Sequence, residues 1–249
     1  NGLDAIIPTD YDGLPVFTAL AKNKYEDGSQ LLDERQWKTE WKDLDYCIEV
    51  TKEDKTIYVF KGQEIKTMDG EREGHLLAWC IDEALPTGMP LIKNFQFIYD
   101  QNGIPVFAHP FVSLFHGCGE QGFNEWHKEF GQMEDFYPLG LDVNGQIAPI
   151  WEKFFHSNQK VEELGENHNI PVFGTSDAHG AYGKEYLKVG RRYHTSVPKN
   201  LINPDDFRGS LQYIMENHPD EIAVHGDTNT LRETVSWNLR SKMKRFRIK

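Results

Sequence analysis

The sequence of 249 residues predicts an α/β fold in which repeated βα units surround a parallel sheet. Short apolar runs alternate with longer segments of helical spacing along nearly the whole chain. The runs are apolar nearly throughout, as expected for strands that are buried on both faces. Hydrophobic residues make up 39% of the chain, which is enough for one substantial core. A single domain over residues 1–249 is therefore expected.

The predicted strands and helices follow from these patterns in chain order. The strands are predicted at residues 4–8, 56–60, 76–81, 105–108, 140–143, 171–173 and 221–224. The helices are predicted at residues 94–101, 150–166, 205–217 and 229–245. The sequence NPDD at residues 203–206 is a signal for a helix start.

Two segments stand outside this alternation. Residues 25–54 are polar and rich in Trp and Lys, and they predict a helix and a hairpin inserted on the rim of the fold. Residues 240–249 contain six basic residues and no acidic one. A solvated basic tail is the favoured interpretation of this end, ahead of an arm that binds phosphate or a partner.

Composition excludes several functional classes. The net charge of −12 argues against a nucleic-acid partner, because an acidic field repels the phosphate backbone. Three cysteines without a CxxC pair (Cys47, Cys80 and Cys118) predict buried apolar side chains, not disulfides or thiolate metal ligands. No apolar run approaches the roughly 18 residues of a membrane helix, so a cytoplasmic protein without a membrane partner is expected. The sequence does not predict the oligomeric state.

Acidic and imidazole side chains recur where the predicted strands end. In a barrel of parallel strands these side chains would converge on one face although they are far apart in the sequence. His75 is an exception, because it precedes its apolar run. The residues that follow or end the runs are Asp10, Glu64, His109, Asp142, Asp177 and His179.

This set of carboxylates and imidazoles predicts a metal site. Oxygen and nitrogen ligands without thiolates suit zinc, manganese or iron, with open positions for water and substrate. A lone histidine after a strand, such as His109, is more often a hydrogen-bonded core residue. Several such residues in the same place favour the metal interpretation, with one to three ions per chain.

Six phrases in order resemble the successive motifs of one family. They are GLDAIIPTDYDGLP, FKGQEI, GHLLAW, GIPVFAHPF, GLDVNG and SDAHG. Together they resemble the polymerase and histidinol phosphatase family, usually called the PHP family, from about residue 2 to residue 191. The resemblance implies a distorted (β/α)₇ barrel, similar to a TIM barrel, that holds two or three metal ions.

The resemblance also implies roles for the matching residues. Glu64 matches a carboxylate that bridges two ions, and His75 and His109 match the other ligands of the second ion. Asp177 matches a ligand of the first ion and His179 a ligand of the third, and both are the implied catalytic residues. Asp142 matches a residue that supports a ligand without binding the ion itself.

Two departures from the family pattern affect these expectations. No residue of this chain matches the His-x-His pair that ends the family's first strand, so the first strand and helix are expected to be missing. A fragment of a longer chain is the favoured explanation, ahead of natural divergence. The family's TDH is Thr9-Asp10-Tyr11 here, so an additional site at Asp10 and Tyr11 would have a phenol in place of an imidazole.

The resemblance implies a metal-dependent hydrolase that cleaves a small phosphomonoester or phosphodiester with a metal-activated hydroxide. His179 or a water molecule would protonate the leaving oxygen, and the sequence leaves this choice open. Arg191 and His116 are the candidate substrate contacts, although a solvent-exposed arginine and a polar loop histidine are the commoner interpretations. The alternatives are a non-catalytic PHP-like scaffold, which Tyr11 favours, and hydrolysis of an amide.

Overall fold

The structure is a computed structural model, and it describes ten segments of the chain. The described residues are 5–10, 15–22, 38–41, 45–69, 72–112, 117–133, 137–144, 152–153, 155–176 and 193–226. The predicted helix at residues 229–245 and the basic segment 240–249 lie outside them.

The described residues form strands, helices and short 3₁₀ turns. The strands are β1 (Ala5–Ile6), β2 (Thr9–Asp10), β3 (Lys38–Trp41), β4 (Cys47–Lys52), β5 (Lys55–Phe60), β6 (Gly62–Asp69), β7 (Arg72–Trp79), β8 (Ile104–Phe107), β9 (Gly140–Asn144), β10 (Val172–Thr175), β11 (His194–Ser196) and β12 (Ala223–His225). The helices are α1 (Pro15–Lys22), α2 (Leu91–Asp100), α3 (Gly119–Glu129), α4 (Ser157–His168) and α5 (Phe207–Asn217). The 3₁₀ turns are Lys199–Leu201, Pro204–Asp206 and Pro219–Glu221.

A mixed six-stranded sheet carries most of the core, in the order β10-β9-β8-β7-β6-β2. Strands β10, β9 and β8 run parallel to one another, and β2 runs parallel to β6. The pairs β6–β7 and β7–β8 are antiparallel. The centre of this sheet is therefore a meander flanked by parallel strands.

The β6–β7 hairpin has a local cause in the sequence. Asp69 pairs with Arg72, so only residues 70 and 71 connect the two strands. Gly70 is the first of these two residues, and glycine at the first position of a two-residue connection favours the tight turns that join antiparallel strands. The hairpin brings β6 and β7 into register over eight residues each.

The remaining strands form two smaller sheets. Four strands pair in the order β1-β5-β4-β3, with β1 parallel to β5 and the other pairs antiparallel. Strands β3 and β4 lie within the polar segment 25–54 and pair with each other. Strands β11 and β12 form an antiparallel pair in which His194 lies opposite His225.

Both faces of the six-stranded sheet are buried. On one face Ile65, Leu76 and Phe107 pack with the apolar sides of α2 and α3, including Phe95 and Trp126. The opposite face belongs to a second cluster that includes Leu77, Trp79, Val106, Ala108 and Phe173. Alternate residues of β6 and β7 therefore project into different apolar environments.

The predicted (β/α)₇ barrel is wrong for the part of the chain that the structure describes. That part contains three separate sheets and no closed barrel. The expected parallel order fails at β6 and β7, because a two-residue connection can only join antiparallel strands, whereas parallel strands need a longer crossover. The runs of β8, β9 and β10 were predicted and these strands are parallel, but helix α3 between β8 and β9 was not predicted.

Several predicted elements are present with shifted ends. Strands β5, β8 and β9 match the predicted runs within one residue. The apolar run predicted at residues 76–81 covers the second half of β7 and two residues beyond its end, and β6 was missed. Helix α4 begins at Ser157, later than predicted, and α5 begins at Phe207 after a 3₁₀ turn at the NPDD segment. No described helix combines the length and apolar character required to cross a membrane.

Candidate metal centre

Three buried side chains from β6, β7 and the residues after β8 meet on the face of the sheet that holds Leu77 and Val106. They are Glu64, His75 and His109, with exposed fractions of 4%, 6% and 3%. One donor atom from each lies within 4.8 Å of the other two, so this triad could hold a metal ion. The described residues contain no second group of this kind.

The strand register explains how Glu64 and His75 come together. Glu64 pairs with Leu77, and His75 pairs with Lys66. Side chains of paired residues lie on the same face, and every second residue returns to that face. Glu64 and His75 are thus diagonal neighbours across the hairpin, which places a carboxylate beside an imidazole in the interior of the sheet.

His109 reaches the same place from a different element. Strand β8 ends at Phe107, which pairs with Leu76, and His109 follows two residues later. Its φ angle of 32° lies in the left-handed region, so the chain turns sharply at the end of the strand. The backbone N–H of His109 donates a hydrogen bond to Oδ2 of Asp142 at 3.2 Å.

Backbone hydrogen bonds close the turn that follows His109. The N–H of Val112 donates to the carbonyl of His109 at 3.0 Å, and the N–H of Gly119 donates to the carbonyl of Pro110 at 2.8 Å. Gly117 packs against this turn so closely that a Cβ atom there would lie 2.6 Å from the His109 carbonyl oxygen. Glycine is therefore required at position 117 if His109 is to keep its place.

The donor atoms of the triad form a nearly equilateral triangle. Oε1 of Glu64 lies 3.0 Å from Nδ1 of His75 and 3.5 Å from Nε2 of His109. The two imidazole nitrogens are 3.4 Å apart. Metal–ligand bonds of about 2.0–2.1 Å place ligand atoms about 3.3 Å apart in a tetrahedron and about 3.0 Å apart in an octahedron. The three donors fit one face of either polyhedron.

The electrostatics of the triad also suit a cation. Burial raises the pKa of the Glu64 carboxyl, but hydrogen bonds from His109 and His75 and the charges of the two rings outweigh burial and hold the pKa below its ordinary range. Glu64 is therefore ionised in the apolar interior. A buried carboxylate is costly unless positive charge accompanies it, and a divalent ion or protonated imidazoles can supply that charge.

Glu73 and Lys66 extend the site toward the surface, and sequence reasoning missed both. Oε1 of Glu73 lies 3.5 Å from Nε2 of His75, and its other oxygen forms an ion pair with Nζ of Lys66. The available signal was the alternation Glu73-Gly74-His75, which places both side chains on one face of a strand. It was overlooked because β7 was predicted to begin after His75.

The other predicted site residues have different outcomes. Asp142 is buried in the middle of β9 and touches the site through its bond to the His109 backbone. The prediction that Glu64 follows a parallel strand is wrong, because Glu64 lies within β6, which pairs antiparallel with β7. His75 was expected to precede its strand and lies within β7. Asp10 ends β2 with its backbone beside Gln63, and its side chain is not described. The predicted residues outside the described part of the chain are Tyr11, His116, Asp177, His179 and Arg191.

In comparisons with known proteins, no family model matches this chain, and no curated protein matches its sequence.

Proposed function

We propose that this chain is a metal-dependent hydrolase that cleaves phosphate esters. The observation that carries the proposal is the buried triangle of one carboxylate and two imidazole donors, from Glu64, His75 and His109. Two histidines and one glutamate form the protein ligand set of several zinc hydrolases, which leave a further position for water and substrate. The preference for phosphate esters rests on the sequence resemblance to PHP enzymes.

The metal would be zinc, manganese or iron. A carboxylate and two imidazoles without a thiolate suit all three ions. The donor spacing of 3.0–3.5 Å fits both four and six ligands, so geometry alone does not favour one of them. At least one ion would bind at this triad. Further ions would need ligands outside it, such as Asp177 and His179, which the resemblance implies.

A divalent ion at the triad would supply Lewis acidity toward a phosphoryl oxygen and would lower the pKa of water. The residues around the triad would hold the ion and control its surroundings. Glu64 would contribute the negative charge, and neutral His75 and His109 would bind without adding to it. Leu77 and Val106 on the same face exclude bulk water, which strengthens electrostatic interactions in the site. Asp142 would hold the backbone of His109 in its turn.

A non-catalytic scaffold remains the alternative, and it is opposed by the burial of the triad. An ionised carboxylate in an apolar interior without a bound cation has no evident structural advantage over an apolar side chain. Amide hydrolysis is a further alternative, because ligand sets of two histidines and one glutamate also serve peptidases. The substrate panel in the experiment below includes both bond types.

The test is hydrolysis of model substrates by the metal-reconstituted chain. Zinc, manganese and ferrous forms would be assayed with p-nitrophenyl phosphate, bis-p-nitrophenyl phosphate and a p-nitroanilide peptide. We expect phosphate ester cleavage in at least one metal form. His109→Ala should lower the rate at least about 100-fold, because a metal ion contributes several kcal/mol to the transition state.

The matched control is His218→Ala, since His218 lies at the surface beside Glu221 and away from the triad. Its rate should equal that of the wild type. Cleavage of the anilide alone would show that the chain is an amidase and would contradict the proposed phosphoesterase activity. A chain that binds metal and cleaves none of the three substrates would favour the scaffold.

A further inference from the structure

We infer that Glu73 is a positioning residue that orients His75 for metal binding through Nδ1, and that Lys66 holds Glu73 in place. The inference rests on the metal site proposed above. It adds a role for two residues that the triad itself does not include.

The hairpin register places these residues on one face of the sheet, where their contacts form a row. Residues 73 and 75 share a face of β7, and Lys66 lies opposite His75 on β6. Glu64 lies two residues before Lys66 on the same face. The contacts run from Glu64 to His75, from His75 to Glu73 and from Glu73 to Lys66, so a carboxylate lies beside each ring nitrogen of His75.

The two ring nitrogens of His75 face different carboxylates. Nδ1 points to the triad, 3.0 Å from Glu64 and 3.4 Å from Nε2 of His109. Nε2 points away from it and lies 3.5 Å from Oε1 of Glu73. A metal-binding nitrogen must carry no proton, so the proton of a neutral ring then belongs to the other nitrogen. Here that nitrogen is Nε2, and Glu73 is the acceptor beside it.

A carboxylate in this position serves two purposes in metal sites. It fixes the orientation and the tautomer of the imidazole, and it increases the basicity of the nitrogen that binds the ion. The separation of 3.5 Å is long for a hydrogen bond. A small rotation of the Glu73 side chain, which is 23% exposed, would shorten it.

Exposure increases steadily along the row. The side chains of His75, Glu73 and Lys66 are 7%, 23% and 44% exposed. The ion pair with Lys66 balances the charge of Glu73 at the edge of the site, where water reaches the lysine. The negative charge of Glu73 can therefore act on His75 without a second uncompensated carboxylate in the interior.

The experiment measures metal affinity and the state of the His75 ring, without an activity assay. The zinc dissociation constant would be determined by competition with a chelator for wild type, Glu73→Ala, Glu73→Gln and Glu129→Gln. Glu129 is an exposed glutamate at the end of α3 and serves as the matched control. We expect a 10- to 100-fold weaker constant for Glu73→Ala, about the loss typical of such supporting carboxylates. Glu73→Gln, which retains an acceptor, should recover most of the affinity, and Glu129→Gln should match the wild type.

A spectroscopic measurement separates this role from a general structural one. In the zinc-loaded wild type with ¹⁵N-labelled histidine, His75 should show a metal-bound Nδ1 and a slowly exchanging proton on Nε2. In Glu73→Ala that proton should exchange rapidly, and the far-ultraviolet circular dichroism should be unchanged.

The outcomes distinguish this inference from the proposed function. Unchanged affinity in Glu73→Ala, or zinc bound through Nε2 of His75, overturns the role of Glu73 and leaves the metal site intact. A wild-type chain that binds no zinc overturns both. Normal zinc binding with the expected Glu73 effect supports this inference even if no phosphate ester is cleaved.

Discussion

At the scale of single residues, His109 has an unusual backbone for a residue with a side chain. Its φ of 32° lies in the left-handed region, where a non-glycine residue costs about 1–3 kcal/mol unless its surroundings hold it. Asp142 and the closed turn after the strand provide those restraints. Such outliers cluster at functional sites, and here the turn carries the imidazole into the triad.

Cys80 offers a prediction about alkaline stability. The thiol is fully buried, and burial raises its pKa above the ordinary value. In the unfolded chain the thiol ionises above about pH 8.5, while in the folded chain it stays protonated. The unfolded state then binds fewer protons, so the free energy of unfolding falls as pH rises. Between about pH 8 and 10 this group should account for up to about 2 kcal/mol of the loss.

Urea unfolding of wild type and Cys80→Ala at the two pH values tests this expectation. The variant should lose less stability than the wild type over the interval. Equal losses in the two proteins would show that Cys80 is not protected in the folded state.

At the scale of elements, the β6–β7 hairpin determines most of the site. Gly70 at the first position of the two-residue connection was the signal in the sequence for an antiparallel pair. The apolar run after His75 was interpreted as a parallel strand, because buried strands of either direction are short and apolar. Residues His75 and Glu73 were thereby placed outside the strand that positions them.

Arg208 of helix α5 contacts the segments that follow β7 and α2 and the residue before β4, in addition to the apolar packing of Leu211 and Met215. The guanidinium of Arg208 donates to Asp82 at 2.6 Å and to the carbonyl of Gln101 at 2.7 Å, and it lies 3.9 Å from the centre of the Tyr46 ring. Arg208 is 8% exposed, whereas the side chain of Asp82 is 43% exposed. Solvent therefore weakens the ion pair, and the carbonyl bond and the ring contact contribute more.

Arg208→Ala should lower the free energy of unfolding by about 1.5–3 kcal/mol, the range for buried hydrogen bonds to a charged group. Arg208→Lys should recover less than half of this loss, because an ammonium cannot form the planar fork. Chemical denaturation would measure both, with exposed Lys160→Ala as the control. A loss below about 0.5 kcal/mol, the usual size of a surface substitution, would contradict this account of how α5 is held.

At the scale of the whole molecule, sequence reasoning recognised a mixed α/β chain but assigned the wrong architecture. Local patterns identified β5, β8, β9 and α2 because apolar runs and hydrophobic periodicity are properties of the local sequence. Strand order and direction depend on pairings between distant segments, which no local pattern specifies. The described strands therefore form three sheets where a barrel was expected.

The triad was found from the sequence more successfully than the fold was. Glu64, His75 and His109 were expected together, and the structure brings them together from three consecutive strand segments. The position of polar side chains after apolar runs indicated Glu64 and His109, and only the resemblance to PHP motifs grouped His75 with them. The identity and the number of the ions stay predictions.

The most direct test of the account is the metal content of the purified chain after dialysis against zinc and then against metal-free buffer. Elemental analysis would compare wild type with His109→Ala and with the surface control His218→Ala. We predict about one tightly held ion at the triad in wild type and in the control, and its loss in His109→Ala. A wild-type chain without metal, or equal metal content in His109→Ala, would contradict the claim that Glu64, His75 and His109 form a metal site.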